Sequence, residues 1–386
     1  MTLMVRDESD VIEAMIEHHR AQGVDLFVVT DNGSVDGTTE ILERYAAGGL
    51  VDLRHDPVHR KQQWSVVTGM ARDAFRLHGA DWVINADADE FFVPIGGTTV
   101  HEVLERMPTG VSTFATNVVN LVGPPAKSGT GLGRLVYRDL RDPLELRSAG
   151  VRQHPTADVV HRGSPDVTVS QGNHAVDLDP GEAPPPGLGL EVLHIPWRSY
   201  RQFEQKVTQA GLAYESNPDL APSPHHHGML DFRRWRMGLL PIVYLARSPS
   251  SDELTDGVSR GVLREEPRLA DLGFGVPDVS YPVDEIEAAQ PAVAAMRSMS
   301  ALSAGHELDL ERRLEAVSTR AEAAESRVAE LESERDELRG AAEANASARS
   351  ELDELRNRMR VIDERVEYRW GERLRSSRWM HRVRAR

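Results

Sequence analysis

The chain has 386 residues, 40% of them hydrophobic and 27% charged, with a formal net charge of −16 and no cysteine. This is length for one large domain or two ordinary ones, and it excludes a disulfide scaffold, a cysteine-ligated zinc or iron–sulfur site and a thiol nucleophile. The acidity argues against a nucleic-acid partner, no apolar run approaches the roughly 18 residues that span a bilayer, and Met1–Val5 running into Arg6-Asp7-Glu8 is too short and too acidic for a signal peptide.

The first 215 residues alternate β-rich runs with helical patterns. Thr2–Val5 is a short apolar run. Val11, Met15 and the pair at 18 and 19 predict a helix over 10–22, stopped by Gly23. Asp25–Thr30 carries Leu26-Phe27-Val28-Val29, a continuous apolar strand of the kind buried on both faces. A loop over 31–34, a helix over 35–45, an alternating strand over 51–54, a helix over 63–78 ending at Gly79 and a buried strand over 81–85 follow. Strands alternating with helices imply an α/β fold with a parallel sheet and right-handed crossovers. Ligands of such sheets bind at the carboxyl ends of the strands. Further on, 166–169 reads as another strand, and Leu190 and Val192 form a run that ends at His194.

Three acidic clusters stand at those strand ends: Arg6-Asp7-Glu8, the stretch Asp31-Asn32-Gly33-Ser34-Val35-Asp36-Gly37-Thr38, and Asp87-Ala88-Asp89-Glu90-Phe91. An acidic rim repels a bare phosphate, so an anionic ligand there needs a cation between. Asp-x-Asp at a strand end suits that cation, because hard divalent ions take oxygen ligands and keep positions open for a diphosphate. Taken singly, Asp-x-Asp is most often a solvated turn, and 31–38 can be a turn with a helix cap. Three in succession after buried strands point to a site.

These three motifs together resemble the glycosyltransferase family 2-like domain, in the branch whose acidic motif ends in Asp-Glu-Phe, over roughly residues 1–215. The resemblance implies a GT-A fold (Rossmann-like, a mostly parallel sheet flanked by helices), a nucleotide-sugar donor, a UDP-sugar favoured, and Mn²⁺ or Mg²⁺. It assigns Arg6, Glu8, Asp31, Asn32, Ser34 and Asp87 to the donor, with Asp31 on the uracil or ribose, and gives Asp87 and Asp89 to the metal. The segment from His194 to Lys206 also resembles this branch. It adds His194 to the metal shell and Arg198 and Lys206 to the leaving diphosphate; a structural histidine and a solvated lysine are the plain alternatives. Gly172-Asn173-His174 has a counterpart too, which makes His174 a candidate at the acceptor. Family 2 enzymes invert configuration with a general base; Glu90, Asp158, Asp166 and His174 are the candidates, His174 and Glu90 foremost. His225-His226-His227 looks like a metal tract, but three adjacent side chains in a Pro-rich loop cannot face one ion.

Residues 216–303 read as an irregular, partly helical extension on the acceptor side. Over 304–368 Gly and Pro nearly vanish. Leu310, Val317, Ala324, Leu331, Leu338, Asn345, Leu352, Met359 and Val366 recur every seven residues, with a second stripe through Leu314, Ala321 and Val328 that moves one place to Ala341, Ala348, Leu355 and Ile362. That is a coiled-coil seam with a register adjustment near Arg335–Gly340, and it predicts a homo-oligomer. Residues 369–386 carry arginines with Trp370 and Trp379, which suits an anionic membrane surface as well as a basic tail. The expectation is thus a metal-dependent inverting glycosyltransferase. Its acceptor would be a glycan or lipid-linked hydroxyl in cell-surface polysaccharide synthesis. Its place would be the cytoplasm, peripheral to the inner face of the plasma membrane. Two other readings are a Mg-dependent nucleotidyltransferase, which would want a Gly-rich basic loop where Arg6-Asp7-Glu8 stands, and a coiled-coil scaffold with a degenerate transferase domain, which the intact acidic motifs disfavour.

Overall fold

The computed structural model describes residues 1–56, 63–215 and 227–376. In chain order the elements are β1 (Thr2–Val5), α1 (Ile12–Ala21), β2 (Phe27–Asp31), α2 (Thr38–Ala47), β3 (Val51–His55), α3 (Gln63–His78), β4 (Trp82–Ala86), β5 (Glu90–Ile95), α4 (Val100–Glu105) and β6 (Thr113–Val122). Then come β7 (Ala126–Ser128), β8 (Tyr137–Asp139), α5 (Pro143–Ser148), β9 (Asp158–Arg162), a 3₁₀ turn over Gln171–Asn173, β10 (Gly189–His194), α6 (Tyr200–Glu215) and α7 (His227–Arg236). The last are α8 (Leu240–Arg247), α9 (Ser251–Arg260), β11 (Leu263–Glu265), β12 (Val279–Ser280) and α10 (Val283–Ser376). The chain divides into two units, Met1–Glu307 and Leu308–Arg386.

Within the first unit, β3, β2, β1 and β4 pair in parallel, in that spatial order. The sheet continues antiparallel through β9, β6, β8 and β11. β10 lies parallel to β6 and antiparallel to β5, so His194 stands opposite Glu90. This is the expected α/β architecture. Period-two alternation explains the double burial of β2. Phe27 and Val29 join a core with Leu3, Met15, Ile16, Phe91 and Phe92, while Val28 faces Val67, Met70 and Ala71 of α3 on the other side. Each fully buried Phe or Met contributes about 1.5–3 kcal/mol. His18 and His19, on the inner face of α1, are structural. Phe92 N donates to His19 Nε2 and His18 Nε2 meets Phe92 O, both at 2.9 Å, which ties α1 to β5.

One expectation is corrected. Residues 166–169 form no strand: Val169 makes one isolated bridge to Val176. Val167 and Val169 are instead buried against α3, where Val169 N donates to Thr68 Oγ1 at 3.0 Å. In the partly helical extension, 227–303 holds α7, α8, α9 and the first part of α10, which pack with α6 around Phe203, Phe232, Tyr244 and Val293. The division at Glu307 falls close to the expected start of the coiled coil at 304. The histidine tract is outside the described residues, apart from the backbone of His227.

Candidate active site

Three loops meet at the carboxyl ends of β1, β2 and β4. After β1, Asp7 takes the left-handed conformation (φ 54°), unusual for a residue with a side chain. Its neighbours hold it there. Asp7 N donates to Ser34 Oγ at 3.0 Å, Val35 N donates to Asp7 Oδ1 at 2.7 Å, and Gln209 of α6 donates to Oδ2. In the second loop Ser34 N and Oγ donate to Asp31 Oδ1 at 3.0 and 2.6 Å, and Thr39 donates to Oδ2. Asp36 accepts from Ser9 N and Thr38 N, each at 3.0 Å. Gly37, at φ 104°, turns the chain into α2. Asp31 therefore shapes the loop with both oxygens engaged, and Arg6 Nη1 donates to Asn32 O at 2.8 Å. The donor residues expected from the sequence are brought to one edge, but Asp31 and Asn32 are buried within the loop they shape.

The third loop carries the Asp-x-Asp motif. Asp89 is 1% exposed. Lys206 Nζ of α6 donates to its Oδ2 at 2.8 Å, with His194 Nε2 at 3.7 Å and Arg198 Nη1 at 3.6 Å from the same oxygen. Burial pushes the Asp89 carboxyl up, but Lys206, His194 and Arg198 outweigh it and hold the group well below the usual range. Asp87 and Glu90 go the other way. Burial and the charge of Asp89 raise Asp87, and burial with Asp87 and Asp158 raises Glu90 well above its ordinary value. Glu90 Oε2 accepts from Asp87 N at 2.9 Å. His194 Nδ1 lies 2.9 Å from Asn120 Oδ1, and its Nε2 faces Asp89.

Arg198 was expected at a leaving diphosphate, yet its side chain has no exposed surface. Its Nε and Nη2 donate to the two oxygens of Asp10 at 2.7 and 2.9 Å, and Nη2 also donates to Glu8. Arg198 is therefore a positioning residue beneath the site, the anchor for Glu8 and Asp10 close to Asp89. Burial raises Glu8 to about 7, against the pull of Arg198 and Lys206. Folded Glu8 thus holds a proton that the unfolded chain releases near 4.5. Stability conferred by this group is full below that value and is lost as pH rises through about 7. Chemical denaturation from pH 4.5 to 7.5 should show this decline, and Glu8→Gln should flatten it.

Beside the Asp-x-Asp loop lies a histidine–carboxylate pair. Asp158, at the start of β9, is 1% exposed, and His174 Nδ1 lies 3.1 Å from its Oδ1. This hydrogen bond, ahead of burial that opposes it, raises His174 above its ordinary value. Gly172 (φ 76°) makes room: a Cβ there would stand 2.8 Å from His174 Nε2. Asp158 acts electrostatically on Asp87 and Glu90, and Asp87 acts on His174, so the pair shares the field of the acidic loop. Asp166 does not join them; its side chain is 88% exposed and pairs with Arg76.

Glu8, Asp10, Asp87, Asp89, Glu90 and Asp158 outnumber the permanent cations acting on them, Arg198 and Lys206. Among the described residues no three His, Asp or Glu groups converge well enough to hold a metal by themselves, so Asp87, Asp89 and His194 are not a preformed cage. The excess of carboxylates still fits a divalent ion bound by one or two of them and completed by a ligand's oxygens. Sequence reasoning assigned no role to Asp7, Asp10, Asn120 or Gln209. Asp10 offered only its nearness to the first acidic cluster, and the other partnerships join residues far apart in the chain.

The model of glycosyltransferase family 92 matches residues 2–117, from β1 into β6, a stretch that contains Asp31, Asp87 and Asp89. The motifs resemble the family 2-like branch; the activity class is the same, and the match supports a glycosyltransferase. No curated protein matches the chain. Similar solved structures include S. aureus TarS 1–349 (10% identity, 67% of this chain and 74% of that chain, TM-score 0.29), the same protein in complex with UDP (10%, 68% and 87%, 0.28) and with UDP-GlcNAc (10%, 79% and 91%, 0.30). Likenesses this distant fix neither substrate nor mechanism for this chain.

Proposed function

We propose that the protein transfers a glycosyl group from a nucleoside-diphosphate sugar, a UDP-sugar favoured, to a hydroxyl acceptor with inversion of configuration. The observation that carries this reading is the convergence of the Asp87/Asp89 loop and the His174–Asp158 pair in one acidic field at the carboxyl edge of the sheet. Asp87 and Asp89 would hold Mn²⁺ or Mg²⁺, which when bound offsets the charge of the departing diphosphate. Lys206, with 49% of its side chain exposed, can follow Asp89 or turn to a phosphate oxygen. Arg6, Ser34 and the 31–38 loop line the nucleoside side.

His174 is the base in this reading. Asp158 accepts the Nδ1 hydrogen, which leaves the Nε2 lone pair to take the acceptor hydroxyl proton as the oxygen attacks the anomeric carbon. Glu90 is buried, and burial holds its proton on, so it is the weaker candidate. Release of nucleoside diphosphate from a panel of nucleotide-sugars with Mn²⁺ tests the activity. His174→Gln should lower kcat by about 10²–10⁴-fold with little change in donor KM, and Asp158→Asn should lower it in the same way. A full kcat in His174→Gln would remove the histidine from the reaction.

A glycan or lipid-linked acceptor in cell-surface polysaccharide synthesis remains part of the proposal. So does a cytoplasmic place at an anionic membrane surface, which the arginines of 369–386 support; Trp379 lies outside the described residues. Among the described residues no helix is long and apolar enough to cross a membrane. Self-association is supported by the apolar stripe of α10.

A further inference from the structure

The unit from Leu308 onward is α10 as far as Ser376, and it leaves its apolar stripe in solvent: Leu338 and Met359 are each 65% exposed and Leu314 67%. We propose that a second copy of this chain covers the stripe in a parallel, in-register two-stranded coiled coil. The inference goes beyond the catalytic reading and does not rest on it.

The charges flanking the stripe choose the partner. Up to the register shift, Leu314, Ala321 and Val328 are a positions and Leu310, Val317, Ala324 and Leu331 d positions; beyond it, Leu338, Asn345, Leu352, Met359 and Val366 take the a positions. In a parallel in-register pair each g residue faces the e residue five places on in its partner. Arg320 then faces Glu325, and Arg327 faces Glu332. After the shift Glu351 faces Arg356, and Arg358 faces Asp363. The remaining pairs, Arg313 with Ser318, Glu337 with Ala342, Ala344 with Arg349 and Arg365 with Trp370, bring no like charges together. A helix whose e and g charges match its own copy so consistently is complementary to itself in this one register.

The seam agrees. Asn345 occupies an a position, where only the in-register pairing lets its amide meet the partner's Asn345; any other register buries it against an apolar side chain. Ala321, Ala324, Ala341 and Ala348 narrow the seam so that two helices approach closely. The register change near Arg335–Gly340 also stays matched only if the two chains run level.

The absence of cysteine makes the test clean. Sedimentation of the full chain should give a dimer. Under oxidation, Ala321→Cys should form a disulfide with itself and Ala348→Cys likewise, with little cross-product when the two variants are mixed, unfolded and refolded together. Glu325→Arg combined with Glu332→Arg should raise the dimer dissociation constant at least about tenfold, and adding Arg320→Glu with Arg327→Glu should restore it. A monomer at micromolar concentration, a three-chain mass, or disulfides formed only between Ala321→Cys and Ala348→Cys would each overturn the proposal.

Discussion

Asp89→Asn lowers kcat/KM for glycosyl transfer by about 10²–10³-fold or more, a loss comparable to that expected when His174 is replaced. Asp89 is the one member of the acidic loop held firmly ionised, because Lys206, His194 and Arg198 all act on its buried carboxyl. Asparagine keeps the shape and removes the charge. Two effects follow. The pair that would hold the divalent ion loses its permanently charged half, and Lys206 loses the carboxylate 2.8 Å from its Nζ. Steady-state kinetics with Mn²⁺ in excess measures the first effect. A variant rescued to full rate by more Mn²⁺ would show that the charge matters for affinity alone, and a variant unchanged at limiting Mn²⁺ would remove Asp89 from the reaction.

Arg198→Met destabilises the folded first unit by about 3–5 kcal/mol, because it leaves Glu8 and Asp10 without their common partner. The side chain has no solvent exposure, so water cannot replace the lost ion pairs. Tm falls by on the order of 10 °C. The loss eases as pH drops, because Glu8 takes up a proton near 7 and no longer needs the guanidinium. Thermal unfolding at pH 5.5 and 7.5 checks both the size and this sign. A shift of Tm below about 2 °C at pH 7.5 would mean that the pairs are screened and that Arg198 contributes little to the fold.

The parallel half of the sheet was legible because its inner strands are apolar on both faces, its edge strand alternates and its helices keep a strict period. The expected helix over 63–78 coincides with α3, and the strand over 81–85 lies within one residue of β4 at each end. His194 was placed at a strand end by the alternation before it, and it stands there at the end of β10. The role of Arg198 was hidden. An arginine just ahead of a helix reads as a surface cation, and only the meeting of the β10–α6 loop with the loop after β1 brings Asp10, 188 residues away, to its guanidinium. The same holds for Asn120, whose only signal is a polar residue inside the apolar strand β6, and for Gln209, which restrains Asp7 from another helix. The short run around 167–169 misled because two buried valines look alike in a strand and in a loop pressed against a helix.

In the proposed reading the acidic edge binds a nucleoside diphosphate through a divalent ion. Calorimetric titration of UDP and the other nucleoside diphosphates into the protein, with and without Mn²⁺ and with Asp89→Asn beside the wild type, tests it most directly. One nucleotide should bind in the presence of Mn²⁺, with affinity lost when the ion is withheld or Asp89 is replaced. A folded protein that binds none of them with Mn²⁺, or binds one equally well without the ion and in Asp89→Asn, would contradict it.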